Sequence, residues 1–145
     1  MSNPTNSAGI KVLVIDDSNT IRRSAEIFLK QGGYHVVLAE DGFDALSKVN
    51  DHVPDLIFCD ILMPRLDGYQ TCAIIKRNAR FAALPVIMLS SKDGLFDKAR
   101  GRMVGSQDYL TKPFTKDQLL QAVQRHVRSD PATATATAPA TSAPN

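Results

Sequence analysis

The stretch Val12-Leu-Val-Ile-Asp-Asp17 places four consecutive apolar residues directly before two acids. An apolar run of this kind, rich in β-branched residues, is typical of a strand that is covered on both faces of a parallel sheet. Two later runs have the same pattern, since residues 55–59 lead into Asp60 and residues 85–89 lead into Ser90. These runs predict a buried parallel sheet with polar side chains where its strands end.

Outward from this stretch, short apolar runs alternate with longer stretches of helical periodicity in five successive units. Such alternation is typical of parallel strands joined by crossover helices. It predicts an α/β fold of the flavodoxin-like type, a doubly wound (βα)5 sandwich whose five parallel strands take the order 2-1-3-4-5. The predicted strands are residues 11–15, 34–39, 55–59, 85–89 and 107–110.

Length and composition indicate a single domain. The chain has 145 residues, of which 43% are hydrophobic, enough for one compact core. We expect residues 10–128 to fold. Residues 1–9 and the Ala/Thr/Pro-rich residues 129–145 lack the apolar side chains that could offset the entropy of ordering them, and we expect both to be disordered. No attached output domain is expected.

Charge and hydropathy argue against several classes of partner. The net charge is +2 and basic residues alternate with acids, so we expect no nucleic acid partner. No run approaches the ~20 apolar residues that cross a bilayer, and the N-terminus lacks an export signal. We therefore predict a cytoplasmic protein without membrane insertion. Cys59 and Cys72 lie in apolar runs, which favours reduced core residues.

Three acids follow the first and third predicted strands. Asp16 and Asp17 follow the first, Asp60 follows the third, and in the predicted strand order these two strands are neighbours. Two unit charges about 4 Å apart repel by roughly 4 kcal/mol at an effective dielectric near 20, so a cation or retained protons must relieve such a cluster. Each acid alone could be a solvated turn residue, but their joint placement predicts a Mg²⁺ site.

Two further polar residues are expected at the same edge of the sheet. Lys112 follows the fifth predicted strand and precedes Pro113, where a cis peptide bond would be a plausible restricted turn. Its ammonium could reach the acids, although an isolated lysine is more often a solvated surface charge. Ser90, at the end of the fourth strand, could donate a hydrogen bond to Asp60 or could be an ordinary turn residue.

The motifs at these strand ends resemble those of the response-regulator receiver family of two-component signalling. The resemblance rests on residues 12–17, on Asp60-Ile-Leu-Met-Pro-Arg-Leu-Asp-Gly68, on residues 85–91 and on Lys112-Pro-Phe114. It covers roughly residues 10–128, with four motifs in the expected order. The family fold agrees with the one that the alternation predicts.

The resemblance implies a phosphorylation site. Asp60 would accept a phosphoryl group from a histidine kinase. Asp16 and Asp17 would bind Mg²⁺ together with Asp60 and the backbone carbonyl of Leu62, and Lys112 would bind the phosphoryl oxygens. Apart from this self-catalysed transfer and autodephosphorylation, no enzyme activity is expected.

The resemblance also implies a switch. Ser90 would be the switch hydroxyl and Tyr109 the switch aromatic, and Leu62 and Lys92 would tune how easily water reaches the phosphoryl group. The surface that changes would comprise helix 4, predicted at about residues 94–104, with strand 5 and helix 5. A downstream protein effector would bind there to a monomeric receiver.

Longer runs narrow the resemblance further. Residues 63–72 and 90–99 are similar to those of the stand-alone receivers of type IV pilus chemosensory systems. This similarity implies a kinase of the CheA-like type as phosphodonor and an effector connected with the pilus machinery. The expected role is therefore the control of type IV pili and twitching motility.

Three other functions remain open from the sequence. A Mg²⁺-dependent hydrolase with an aspartyl-phosphate intermediate usually has an acid two residues after its nucleophile, where this chain has Leu62. A flavodoxin-like cofactor carrier would need a phosphate-binding loop after strand 1, where this chain has two acids. A phosphorylation-independent interaction module would not need the complete set of acids.

Overall fold

The computed structural model describes residues 9–91 and 97–127. Strands and helices alternate along the chain, with one 3₁₀ turn at Ala79–Phe81 after the third helix. The strands are β1 (Lys11–Ile15), β2 (His35–Ala39), β3 (Leu56–Asp60), β4 (Val86–Ser91) and β5 (Asp108–Lys112). The helices are α1 (Asn19–Gln31), α2 (Gly42–His52), α3 (Gly68–Arg77), α4 (Lys98–Val104) and α5 (Lys116–His126).

The five strands form one parallel sheet in the order β2-β1-β3-β4-β5, which confirms the predicted fold and strand order. Both faces of the sheet are buried. Successive residues of β1 point to opposite sides, so Leu13 and Ile15 join one apolar cluster while Val12 and Val14 join the other. Helices α2 and α3 cover the first face, and α1 and α5 cover the second. Residues 12–15 of β1 are all apolar because neither face of the strand meets water there.

Side-chain caps start the helices that flank the ends of β1 and β3. The hydroxyl of Ser18 accepts a hydrogen bond from the backbone N–H of Ile21 at the start of α1. At α3, the carboxylate of Asp67 accepts from the N–H of Gln70, whose side chain accepts from the N–H of Asp67 in return. These caps satisfy donors that a helix cannot pair internally.

Three strands end later than the sequence indicates. Asp60 is the last residue of β3, Ser91 ends β4, and Lys112 is the last residue of β5 rather than the residue after it, so the predicted position of Lys112 beyond its strand is wrong. The reason is backbone pairing, because Asp60 is registered with Leu89 and Ser91 with Lys112. The ladder thus continues past the apolar runs from which the strands were predicted.

The first turn predicted for helix 4 lies partly outside the described residues. Helix α4 begins at Lys98, where the carboxylate of Asp97 accepts a hydrogen bond from the N–H of Arg100. Residues 1–8 and 128–145, which include almost all of the two predicted disordered termini, also lie outside the described residues. Within the described ranges, every helix is too short or too polar to cross a bilayer.

Gly68, the first residue of α3, lies against the backbone of β3. Its N–H donates to the carbonyl of Ile61 at 2.8 Å, and a Cβ built on Gly68 would lie 2.3 Å from the carbonyl oxygen of Asp60. A side chain at position 68 therefore cannot fit unless the backbone of β3 or α3 shifts.

Gly68→Ala should lower the free energy of unfolding by at least about 2 kcal/mol, because a backbone oxygen cannot move aside as a side-chain tip can. Gly32→Ala is the matched control, since the atom closest to a Cβ there is a methyl carbon of Leu120, at 2.7 Å, which belongs to a flexible side chain. We expect a loss below about 1 kcal/mol for Gly32→Ala. Urea denaturation measures both values, and equal losses would contradict this account of Gly68.

Candidate functional site

Three carboxylates meet where β1 and β3 end. Asp16 directly follows β1 and Asp60 ends β3, and the pairing of Ile15 with Cys59 aligns the two strand ends. One carboxylate oxygen from each of Asp16, Asp17 and Asp60 lies within 4.8 Å of the other two. Asp16 and Asp60 are buried, whereas Asp17 is exposed. The acids that the sequence predicts to converge are therefore together in the structure.

Lys112 supplies positive charge to this cluster. Its Nζ lies 3.0 Å from Oδ2 of Asp16 and 3.0 Å from Oδ1 of Asp60, so one ammonium donates to both buried acids. The peptide bond between Lys112 and Pro113 is cis, as the sequence suggested. Two carboxylates thus share one cation, and with Asp17 the cluster carries excess negative charge when all three acids are ionised.

Burial and charge repulsion act on the pKa of Asp60. Loss of solvation raises this pKa from its ordinary value of 3.8, the charge of Asp16 raises it further, and Lys112 opposes both, with a net result of about 7. Burial also disfavours the charged form of Lys112, but hydrogen bonds and charges from Asp60 and Asp16 outweigh that effect and raise the pKa of Lys112. Lys112 therefore stays protonated while Asp60 exchanges its proton near neutral pH.

A cavity of about 200 Å³ opens onto the carboxylate of Asp60. Ser90 is buried and lines it, but its hydroxyl donates to the carbonyl of Ser91 at 3.4 Å, so the hydrogen bond from Ser90 to Asp60 that the sequence suggested is absent. The side chain of Leu62 also lines the cavity and is 70% exposed. The cavity walls are completed by Asp17, Ile61, Ser91 and Lys112.

Of the predicted site residues that the structure describes, Asp16 and Tyr109 do not line this cavity, although Asp16 belongs to the acidic cluster beside it. Tyr109 is 38% exposed on β5, with Nζ of Lys98 5.6 Å from the centre of its ring. It borders a separate groove between β5 and α4. Lys92 lies outside the described residues.

The composition of the cluster fits a hard divalent cation. All three side chains offer carboxylate oxygens, the ligands that Mg²⁺ prefers, and no His or Cys belongs to the cluster. Asp60 is buried with a raised pKa, and a cation bound there would stabilise its ionised form. The residues present therefore fit Mg²⁺.

One contact of the acidic loop, defined as residues 16–18 between β1 and α1, was not predicted from the sequence. Arg22, in the first turn of α1, donates from Nη1 to the backbone carbonyl of Asp16 at 2.6 Å. A weak signal was available, because Arg22 lies three residues after Asn19 and its guanidinium can turn back toward the start of its own helix.

Comparisons with known proteins agree with this geometry. A family model described as the response regulator receiver domain matches residues 12–124. Protein PilG of Pseudomonas aeruginosa is 66% identical over 123 residues, which are 85% of this chain and 91% of that protein. The alkaline phosphatase synthesis transcriptional regulatory protein PhoP of Bacillus subtilis is 37% identical over 118 residues, which are 81% of this chain and 48% of that protein. Among solved structures, chemotaxis protein CheY4 of Vibrio cholerae is similar with a TM-score of 0.79 at 33% identity, over 83% of this chain and 100% of that chain.

Asp60→Asn should stabilise the metal-free protein at pH 8 by on the order of 2 kcal/mol. The pKa of Asp60 is about 7 in the folded protein and near its ordinary value of 3.8 in the unfolded chain, so this carboxyl costs stability progressively as pH rises from about 4 to 7. Asparagine does not ionise, so the variant does not lose this stability as pH rises.

Urea denaturation in EDTA at pH 5 and pH 8 measures the difference between the two proteins. The gain should be less than half as large at pH 5, because most of the titration lies above that pH. A gain that does not depend on pH would show that the charge of Asp60 is not its source.

Proposed function

This chain belongs to the response regulator receiver family, and we propose that it is a signalling switch that takes a phosphoryl group from a histidine kinase onto Asp60. One observation carries the proposal. The buried carboxylates of Asp16 and Asp60 share the ammonium of Lys112 at 3.0 Å each, beside an open cavity. This arrangement offers a nucleophile together with a fixed cation, which are the main protein contributions that phosphoryl transfer needs.

Asp16, Asp17 and Asp60 would hold Mg²⁺, with the backbone carbonyl of Leu62 as a further ligand, and the bound ion would supply positive charge that offsets the charge of the phosphoryl oxygens. The charge count supports a bound cation, because Lys112 balances only one of the three acids when all of them are ionised. No protein ligand with nitrogen or sulfur is needed.

In the transfer step, a carboxylate oxygen of Asp60 forms a bond to phosphorus. The P–N bond to the donor histidine breaks, and its electron pair returns to the imidazole nitrogen. Lys112 is already in place to donate to a phosphoryl oxygen, since its Nζ lies against Asp60. Leu62, which is 70% exposed at the cavity, would limit the approach of water to the product together with Lys92.

The modified Asp60 would then reposition Ser90. In the unmodified protein, the Ser90 hydroxyl donates to the backbone carbonyl of Ser91. A phosphoryl oxygen would be a stronger acceptor because it is charged. Charge-assisted hydrogen bonds from Ser90 and Lys112 contribute roughly 1.5–3 kcal/mol each. A shift from 1:99 to 99:1 takes about 5.5 kcal/mol, so phosphorylation alone would activate partially and binding of the effector would complete the switch.

The effector surface would comprise α4, β5 and α5, with Tyr109 as its moving part. Tyr109 is 38% exposed, and a ring at this position can move toward the interior when Ser90 is drawn to the phosphoryl group. The proposed effector is a protein, and the switch acts as a cytoplasmic monomer. The hydrolase alternative has no support at Leu62, which cannot act as an acid.

A role in type IV pilus control and twitching motility extends this proposal. It rests on the resemblance of residues 63–72 and 90–99 and on 66% identity to Protein PilG. The phosphodonor would then be a CheA-like kinase and the effector a component connected with the pilus machinery.

Acetyl phosphate should add one phosphoryl group to the protein in the presence of Mg²⁺, and not in EDTA. Intact-mass spectrometry measures the addition, and Asp60→Asn should show none because it lacks the nucleophile. Beryllofluoride provides a second test, since it should bind the wild type only when Mg²⁺ is present. Equal labelling of wild type and Asp60→Asn would refute the assignment of Asp60.

Expression in Pseudomonas aeruginosa that lacks PilG tests the pilus role. The wild type should restore twitching, whereas Tyr109→Ala should not, although it should still accept a phosphoryl group from acetyl phosphate. Tyr109→Phe is the matched control and should restore twitching, because it keeps the ring. Failure of the wild type contradicts the pilus assignment, and full restoration by Tyr109→Ala contradicts the role of Tyr109.

A further inference from the structure

We propose that Arg22 is a positioning residue for the metal site, which orients the carboxylate of Asp17 by fixing the peptide unit between Asp16 and Asp17. This inference rests on the proposed function. It concerns a residue outside the acidic cluster and does not require Arg22 to touch the metal ion or the phosphoryl group.

The contacts of Arg22 tie the acidic loop to helix α1. Its Nη1 donates to the backbone carbonyl of Asp16 at 2.6 Å, and its Nη2 donates to the side-chain oxygen of Asn19. The backbone N–H of Arg22 donates to the carbonyl of Ser18, which places its Cα in the first turn of the helix. One arm of the guanidinium fork thus contacts the segment that connects β1 to α1, and the other contacts the first residue of α1.

The carbonyl that Arg22 contacts matters because of peptide geometry. The carbonyl of Asp16 and the backbone nitrogen of Asp17 belong to one planar unit, so a bond to that oxygen restrains rotation of the unit. Asp16 is already held on its other sides, by its N–H to the carbonyl of Ala39 at 3.1 Å and by its Oδ1 to the N–H of Ser18 at 2.8 Å. Asp17 is exposed, and Arg22 fixes the peptide unit through which it is attached.

Charge and positioning make opposite predictions for the removal of Arg22. A guanidinium near a divalent cation repels it, so loss of the charge alone would tighten Mg²⁺ binding. Loss of the anchor would weaken binding, because Asp17 would have to be ordered when the ion binds. The sign of the change in affinity therefore distinguishes the two roles.

Arg23 provides a matched control on the same helix. It is also an arginine, but its side chain is 76% exposed and its guanidinium lies 3.9 Å from Glu26, away from the acidic loop. Removal of Arg23 lowers the positive charge of α1 by the same amount as removal of Arg22 and leaves the Asp16 carbonyl bonded.

Calorimetric titration of the full chain with MgCl₂ at constant ionic strength is the test. Arg22→Ala should weaken Mg²⁺ binding by about 10-fold, as is typical when a partner that orients a metal ligand is removed. Arg22→Lys keeps the charge without the two-armed fork and should weaken binding by about 3-fold or more. Arg23→Ala should stay within about 2-fold of the wild type, because an exposed charge is well screened.

Thermal unfolding in EDTA separates positioning from a structural role. A structural role alone predicts a lower melting temperature for Arg22→Ala with an unchanged Mg²⁺ dissociation constant, and that outcome overturns the inference. Unchanged or tighter binding by Arg22→Ala also overturns it. If Arg22→Ala does not fold, the affinity of Arg22→Lys decides in the same way. A wild-type protein that binds no Mg²⁺ overturns the proposed function, and this inference with it.

Discussion

Repulsion between buried carboxylates is the constraint on which the rest of this site depends. Asp16 and Asp60 are held in the interior with one ammonium, that of Lys112, between them. Loss of solvation on burial and the negative charge of Asp16 together outweigh the ammonium of Lys112, and they raise the pKa of Asp60 to about 7. A bound cation would relieve this repulsion. In the proposed function, Asp60 would become an acyl phosphate whose phosphoryl oxygens carry more negative charge than the carboxylate they replace, so the cation and Lys112 would be needed still more in the modified protein.

The parallel sheet imposes this crowding. Strands β1 and β3 are neighbours in space although β2 lies between them in sequence, and their register aligns Ile15 with Cys59. Every residue that follows such a pair is brought to the same edge of the sheet. Lys112 arrives from β5, two strands from β3, and its long side chain spans the remaining distance. Folding thus supplies the energy that holds like charges together, through the apolar layers on both faces.

The sequence predicted the sheet, its strand order and the acidic cluster, because apolar runs and the acids after them are local signals. It placed the ends of β3, β4 and β5 too early, since those ends are set by pairing with a neighbouring strand and not by hydropathy. The hydrogen-bond partner of Ser90 could not be deduced, because a hydroxyl can donate to any nearby acceptor and only the folded backbone determines which acceptors are near. Arg22 was missed for a similar reason: it contacts a backbone carbonyl, and no residue type marks that atom in a sequence.

The close approach of Gly68 to β3 makes the two sides of the site unequal in the room that they leave for movement. With the carbonyl of Asp60 pressed against the start of α3, the main chain at Asp60 has little room on that side. A phosphoryl group on Asp60, as proposed, would therefore displace the β4 side of the cavity more readily, where the hydroxyl of Ser90 donates a 3.4 Å hydrogen bond to the carbonyl of Ser91. The side of the cavity formed by β3 and α3 would then stay fixed, and movement would be confined to the side formed by β4.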